Sequence, residues 1–136
     1  MNAQLPQTTT ITTAPLTTIL PVKDMARARD FYERALGLVV VGSKPDGKFV
    51  FRCGNGALLA LFPKPDGTKA EHTAASFEVR DVDAAIAELK ARGVVFNDYD
   101  FPGFKTVGHV CVLGSEKAAW FNDPEGNILC LHEEIG

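Results

Sequence analysis

Residues 22–37, "VKDMARARDFYERALG", lie over residues 79–93, "VRDVDAAIAELKARG", when the chain is shifted by 57 positions, and that match decides the fold. It sets Val22 on Val79, Asp24 on Asp81 and Ala28 on Ala85. Each copy opens with a short apolar segment and then an Asp placed to cap a helix. Apolar residues at helical spacing follow, and a Gly stands at the C-terminal end. The stripe is Met25, Ala28, Phe31, Tyr32, Ala35 and Leu36 in the first copy, and Val82, Ala85, Ile86 and Leu89 in the second. This spacing predicts two amphipathic helices lying on a sheet.

A second match, at a shift of 70, lays "NGALLALF" (55–62) on "EGNILCLH" (125–132) and Phe51 on Phe121. Each half therefore ends in a turn followed by a strand. Between helix and final strand stand further strand-like runs: "LVVVG" and "GKFVFRC" in the first half, "VVFN", "HVCVL" and "KAAWF" in the second. The order in each half is β-α-β-β-β, an α+β pattern, with module one at 16–63 and module two at 73–133. A helix covers one face of each sheet and leaves the other bare. The two bare faces are expected to bury each other or to enclose a ligand, which predicts a concave site between the halves.

Length and composition agree with one soluble domain. A chain of 136 residues supports one core and is short for two. Net charge of -3 argues against a nucleic-acid or anionic-membrane surface. No apolar run approaches the roughly 20 residues of a membrane span, and the first residues lack the basic flank and apolar run of a signal peptide, so a cytoplasmic location is expected. Three cysteines without a close pair predict reduced thiols rather than a disulfide framework. Residues 1–15, rich in Thr, read as a flexible arm, with "TTTITT" able to pair as an edge strand. Residues 16–136 then form a single domain.

The duplicated pattern, with "VKDMARARDFYERALGL", "FEVRDVDAAIAELKARGV" and "WFNDPEGNIL", resembles the vicinal oxygen chelate superfamily of glyoxalases, bleomycin-resistance proteins and dioxygenases. The turn from Phe121 to Asn127 is its most specific piece. The resemblance covers about residues 16–133 and implies a cupped half-barrel of mixed sheet with the helices outside. Enzymes of that superfamily hold a divalent metal with His or Glu at four strand positions, which fall here on Thr17, Ala60, Ala74 and Cys130. Two alanines, a hydroxyl and one thiol fall short of the three or four ligands a stable site needs. Cys130 thus occupies a vacated ligand position, and neither metal nor cofactor is expected.

Other groupings carry weaker chemistry. His109 with Cys111, and Cys130 with His132, share strand faces, but the spacing is unlike zinc motifs. A Cys130 nucleophile with His132 as base would have its partner about 7 Å along the strand. Asp24 and Asp81 are read as helix caps, and Asp123 as the start of a turn. In "YDFPGFKTVG" (99–108), Tyr99, Phe101 and Phe104 either plug the core or form a lid over the cavity. Trp120 faces the cavity if Phe121 packs beneath a helix, with Asn122 as its polar neighbour.

The function these features favour is metal-independent binding of a small, partly apolar molecule, and the balance leans away from catalysis. Thr17, Phe62, Tyr99, Phe101, Phe104, Trp120, Asn122, Cys130 and His132 are the expected ligand-binding residues. A homodimer is expected because members of the resembled superfamily commonly build their cavities from two chains. One rival is a metal-dependent lyase or dioxygenase using His72, His109 or His132. Another is a structural or regulatory dimer with a collapsed cavity.

Overall fold

Asp24 and Asp81 fix where the two helices begin. In the computed structural model, which describes residues 11–136, the Asp24 carboxylate accepts from the Arg27 N–H at 3.1 Å, and that of Asp81 from the Ala84 N–H at 3.0 Å. Helix α1 (Met25–Asp30) runs on through a wide turn at Phe31–Ala35, and α2 spans Val82–Ala91. In the first module β1 (Thr17–Val22) precedes α1, and β2 (Val39–Ser43), β3 (Phe49–Arg52) and β4 (Leu58–Pro63) follow it. In the second, β5 (Thr73–Glu78) precedes α2. After it come β6 (Phe96–Asn97), a small hairpin of β7 (Asp100–Phe101) and β8 (Phe104–Lys105), then β9 (Cys111–Leu113), β10 (Glu116–Asn122) and β11 (Ile128–Glu134).

The sheets share one plan. The first is ordered β1-β4-β3-β2, with β1 parallel to β4; the second is β5-β11-β10-β6, with β5 parallel to β11 and β9 also on β10. A helix crossover joins β1 to the following antiparallel strands, as the parallel pairing requires. The fold is α+β with two helices and mixed sheets.

Alternation along the strands sends Leu20, Val22, Leu59, Leu61, Phe49 and Phe51 of sheet one, and Ala119, Phe121, Leu129 and Leu131 of sheet two, toward the helices. These side chains join Ala28, Tyr32, Val82, Ile86 and Leu89 in one core that runs through both modules. Phe121, fully buried, packs against Phe31 of module one and Phe96 of module two. Burying such a ring contributes about 1.5–3 kcal/mol.

The turn at 121–127 joins the modules by polar bonds as well. The buried Asp123 carboxylate accepts from the Glu125 and Asn127 N–H groups at 2.8 Å, from the Tyr32 hydroxyl at 2.6 Å and from Asn127 Nδ2 at 2.9 Å. Asn127 Nδ2 also donates to the Pro21 carbonyl. Glu125 accepts from the backbone N–H groups of Lys23 and Asp24 and from Arg27 Nη2, so this turn caps the start of the other module's helix. Gly126, at φ 89°, supplies the left-handed step the turn requires.

Four expectations are corrected. Ile11–Thr13 form a 3₁₀ turn rather than part of an edge strand, while residues 1–10 of the arm lie outside the described residues. The 99–108 segment contains a hairpin, and its aromatic residues lie outside the main core, which removes the core-plug alternative. The bare faces do not bury each other within one chain: Ile19 is 53% exposed, and Thr17 and Ser76 are exposed. Ala74 does not share the bare face with Cys130. The register slips where Thr73 pairs with Ile128 and Ala75 with Leu129, and this bulge leaves Ala74 and Ala75 both packed on the core.

Candidate functional site

Strand alternation places Cys130 and His132 of β11 on the bare face of the second sheet. β5 runs beside them with Ser76 opposite Cys130. Ser76 Oγ and His132 Nδ1 are hydrogen-bonded at 2.5 Å, the hydroxyl donating when the ring carries its proton on Nε2. The motifs alone do not point to Ser76, although the 57-residue shift sets it on Ile19 of the first sheet's bare face. Cys130 Sγ donates to the Leu131 carbonyl at 3.3 Å. Burial pushes the Cys130 thiol up from its ordinary pKa, and its bond with Ser76 offsets this only in part. The group is a thiol at neutral pH, a weak nucleophile and a weak metal ligand.

Trp120 stands across from Cys130 on β10, on the face opposite the buried Phe121. Its indole N–H donates to Thr73 Oγ1 at 3.1 Å. The hairpin lays its rings on this tryptophan: Tyr99 edge-on at 5.6 Å and Phe104 at 5.3 Å between centroids, with Phe101 stacked on Tyr99 at 6.1 Å. The result is a shelf of four rings. Its base is tied by the buried Thr106, whose hydroxyl accepts from the Tyr99 N–H and donates to Asp98, whereas Phe101 at the tip is 58% exposed.

The bare face of the first sheet carries a separate groove of about 470 Å³. Thr17, Ile19, Val50, Leu58 and Ala60 floor it, and the loop from Lys44 to Lys48 forms its rim. Its lining comes wholly from module one, so the sequence-predicted residues divide into two groups. Thr17 lies in this groove, and Phe62, 38% exposed, lies two positions beyond Ala60 on β4. Tyr99, Phe101, Phe104, Trp120, Cys130 and His132 gather on module two. Asn122 joins neither: it accepts from Asn97 Nδ2 at 2.8 Å and lines a different groove beside Phe31 and Pro124.

A divalent ion does not fit the four positions the resemblance implied. Ala60 and Ala74 offer methyl groups without lone pairs, Ala74 is turned to the core, and Cys130 resists ionisation. The rival set does not assemble either. His72 precedes β5 and is exposed, and His109 is held by Asp98 at 3.0 Å. Among the described residues no group of three or more His, Cys, Asp and Glu is placed to hold a metal.

Two modules of this order, each with its first and last strands parallel, define a paired βαβββ protein. The chain belongs to the Glyoxalase/Bleomycin resistance protein/Dioxygenase superfamily, whose sequence profile matches residues 14–131. No curated protein matches it. Among solved structures it is similar to a glyoxalase family protein from Bacillus anthracis, at 19% identity and a TM-score of 0.71, covering 89% of this chain and 94% of that one. It is also similar to an antibiotic binding protein from Streptomyces sp. CB03234 (24%, TM-score 0.63, 88% and 94%) and to a lactoylglutathione lyase from Agrobacterium tumefaciens (21%, TM-score 0.62, 88% and 92%). These likenesses establish the fold. No helix among the described residues is long and apolar enough to cross a membrane.

Proposed function

We propose that this protein binds a small, partly apolar molecule without a metal, on the second-module face between the aromatic shelf and the polar row of Ser76, Cys130 and His132. The observation that carries the reading is the shelf itself. Four rings stand outside the core with Phe101 open to solvent, an arrangement that costs free energy unless something apolar covers it. The hydroxyl and imidazole beside it fix orientation, as a few polar groups do in an apolar site. The same fold serves an antibiotic binding protein, a ligand of the kind such a shelf suits.

Residues 16–136 act as one cytoplasmic unit in this reading, and two chains pair so that the first-module face of one closes over the second-module face of the other. Thr17 and Phe62 would then complete the cavity from the partner copy, and the hairpin would serve as its lid. The exposed Ile19 and Phe62 favour such a cover. The single tryptophan gives the test. Titration with a panel of aromatic and antibiotic compounds is expected to quench Trp120 emission saturably with at least one of them. Silence across the panel, or a transition metal retained stoichiometrically by untagged protein, would count against the proposal.

A further inference from the structure

Helix α2 leaves open a space that α1 fills. Under the 57-residue shift Phe31 and Tyr32 correspond to Glu88 and Leu89, and Ala35 to Arg92. In module one the fully buried Tyr32 ring lies 6.0 Å from Phe51, and Phe31 packs edge-on against Tyr32 at 5.3 Å. With a carboxylate and a leucine at the matching positions, α2 contributes no ring to the packing of module two. A cavity of about 190 Å³ opens there.

Its walls are Leu36 and Leu38 of the first module with Phe77, Leu89, Phe121 and Leu131 of the second. The space is open to solvent on one side, and a cavity of about 150 Å³ lined by Leu, Ile and Phe is large enough to admit a benzene ring. Glu88 and Arg92 are the charged members of the lining and stand at its solvent side, with side chains 62% and 41% exposed. Arg92 Nη1 donates to the Ala35 carbonyl at 3.3 Å, and Nη2 pairs with Glu88 at 2.8 Å. An exposed pair one helical turn apart is weak, so Glu88 can swing away and leave the guanidinium fork to another carboxylate. Gly37, whose added Cβ would stand 3.2 Å from Arg92 Nη1, keeps that position free.

We propose that this cavity is a second binding site, separate from the aromatic shelf, for a small aromatic carboxylate. The ring takes the place that Phe31 and Tyr32 occupy in module one, and the carboxylate replaces Glu88 on Arg92. Phe121 turns toward this cavity while Trp120 turns away from it, so the two sites report separately.

Benzoate and uncharged toluene are the probes, followed through the methyl NMR signals of Leu36, Leu38 and Leu131. Benzoate is expected to shift these signals saturably while leaving Trp120 emission unchanged. Leu89→Tyr restores the missing ring and should abolish the shifts while the circular dichroism spectrum stays native. Arg92→Gln, at an exposed position that keeps the fold, should weaken benzoate by on the order of tenfold and leave toluene unaffected. Methyl signals that ignore benzoate, or shifts that survive Leu89→Tyr, would overturn the site. Equal weakening of both probes by Arg92→Gln would overturn the carboxylate assignment. Neither result bears on the shelf, which is read through tryptophan.

Discussion

The turn at residues 51–57 and its counterpart at 121–127 occupy the same place in two modules of one design, yet only the second binds the halves together. Asp123, Glu125 and Asn127 correspond to Cys53, Asn55 and Ala57, so every side chain of the clasp is missing from the first copy. The first copy is not left with an uncapped helix to serve. The start of α2 is capped from its own module, where Glu133 Oε1 accepts from the Val82 N–H at 2.8 Å. The same divergence runs through the helices, where two rings in α1 become a carboxylate and a leucine in α2. Duplication supplied two equal scaffolds. The second accumulated the joint, the space and the rings that suit ligands, and the first kept the plainer packing.

The largest effect is expected from removing the centre of the clasp. Asp123→Ala strands the buried Tyr32 hydroxyl and the backbone N–H groups of Glu125 and Asn127, and leaves the Asn127 amide only its bond to the Pro21 carbonyl. At about 1–3 kcal/mol for each buried group left unpaired, urea unfolding should show a loss on the order of 4 kcal/mol. A loss under about 1 kcal/mol would show that the two turns do not differ in this way. Tyr32→Phe should cost about 1–3 kcal/mol by leaving Asp123 one donor short. It should also change the alkaline limb of stability. Burial, reinforced by the Asp123 charge, pushes the Tyr32 pKa far above its ordinary 10.0. The unfolded chain therefore releases this proton near pH 10 while the folded one holds it, and stability falls as pH rises beyond that point. Stability of the Phe variant should lose that dependence, which unfolding curves between pH 8 and 11 would reveal.

Glu125→Gln should have the smallest effect of the three, about 1 kcal/mol, because the amide still accepts one of the three bonds. Burial would raise the Glu125 carboxyl, but the bonds from Lys23, Arg27 and Asp24 outweigh it and hold the group below its ordinary 4.5. A depressed acid stabilises the fold above its unfolded value and ceases to do so as pH falls through the folded one. The wild type should lose stability on acidification below about pH 4.5, and the variant should lose less. Equal acid slopes in the two proteins would remove Glu125 from the joint.

Much of this was legible in the residues. The two helices, their Asp caps and the repeated order of strands follow from the shifts of 57 and 70, and Trp120 turned outward because Phe121 turned in. The clasp was visible only as a motif. Tyr32 reads as one more apolar residue of the α1 stripe, and its hydroxyl gains meaning only once the turn of the other module arrives beside it. Ser76 was open to the same reading, since the 57-residue shift sets it on Ile19; what the bulge after Thr73 hides is that Ala74, the counterpart of Thr17, turns to the core. The orientation of the two bare faces is likewise a matter of how modules dock, which periodicity within a module does not encode.

The central claim is that the second-module face binds its ligand through rings and neutral polar groups, without a metal. It is tested most directly by following Trp120 emission during titration with a compound from the aromatic panel, in protein treated with a strong chelator and in untreated protein. The account predicts the same saturable quenching in both. Binding that disappears with the chelator and returns on adding a divalent metal would contradict it.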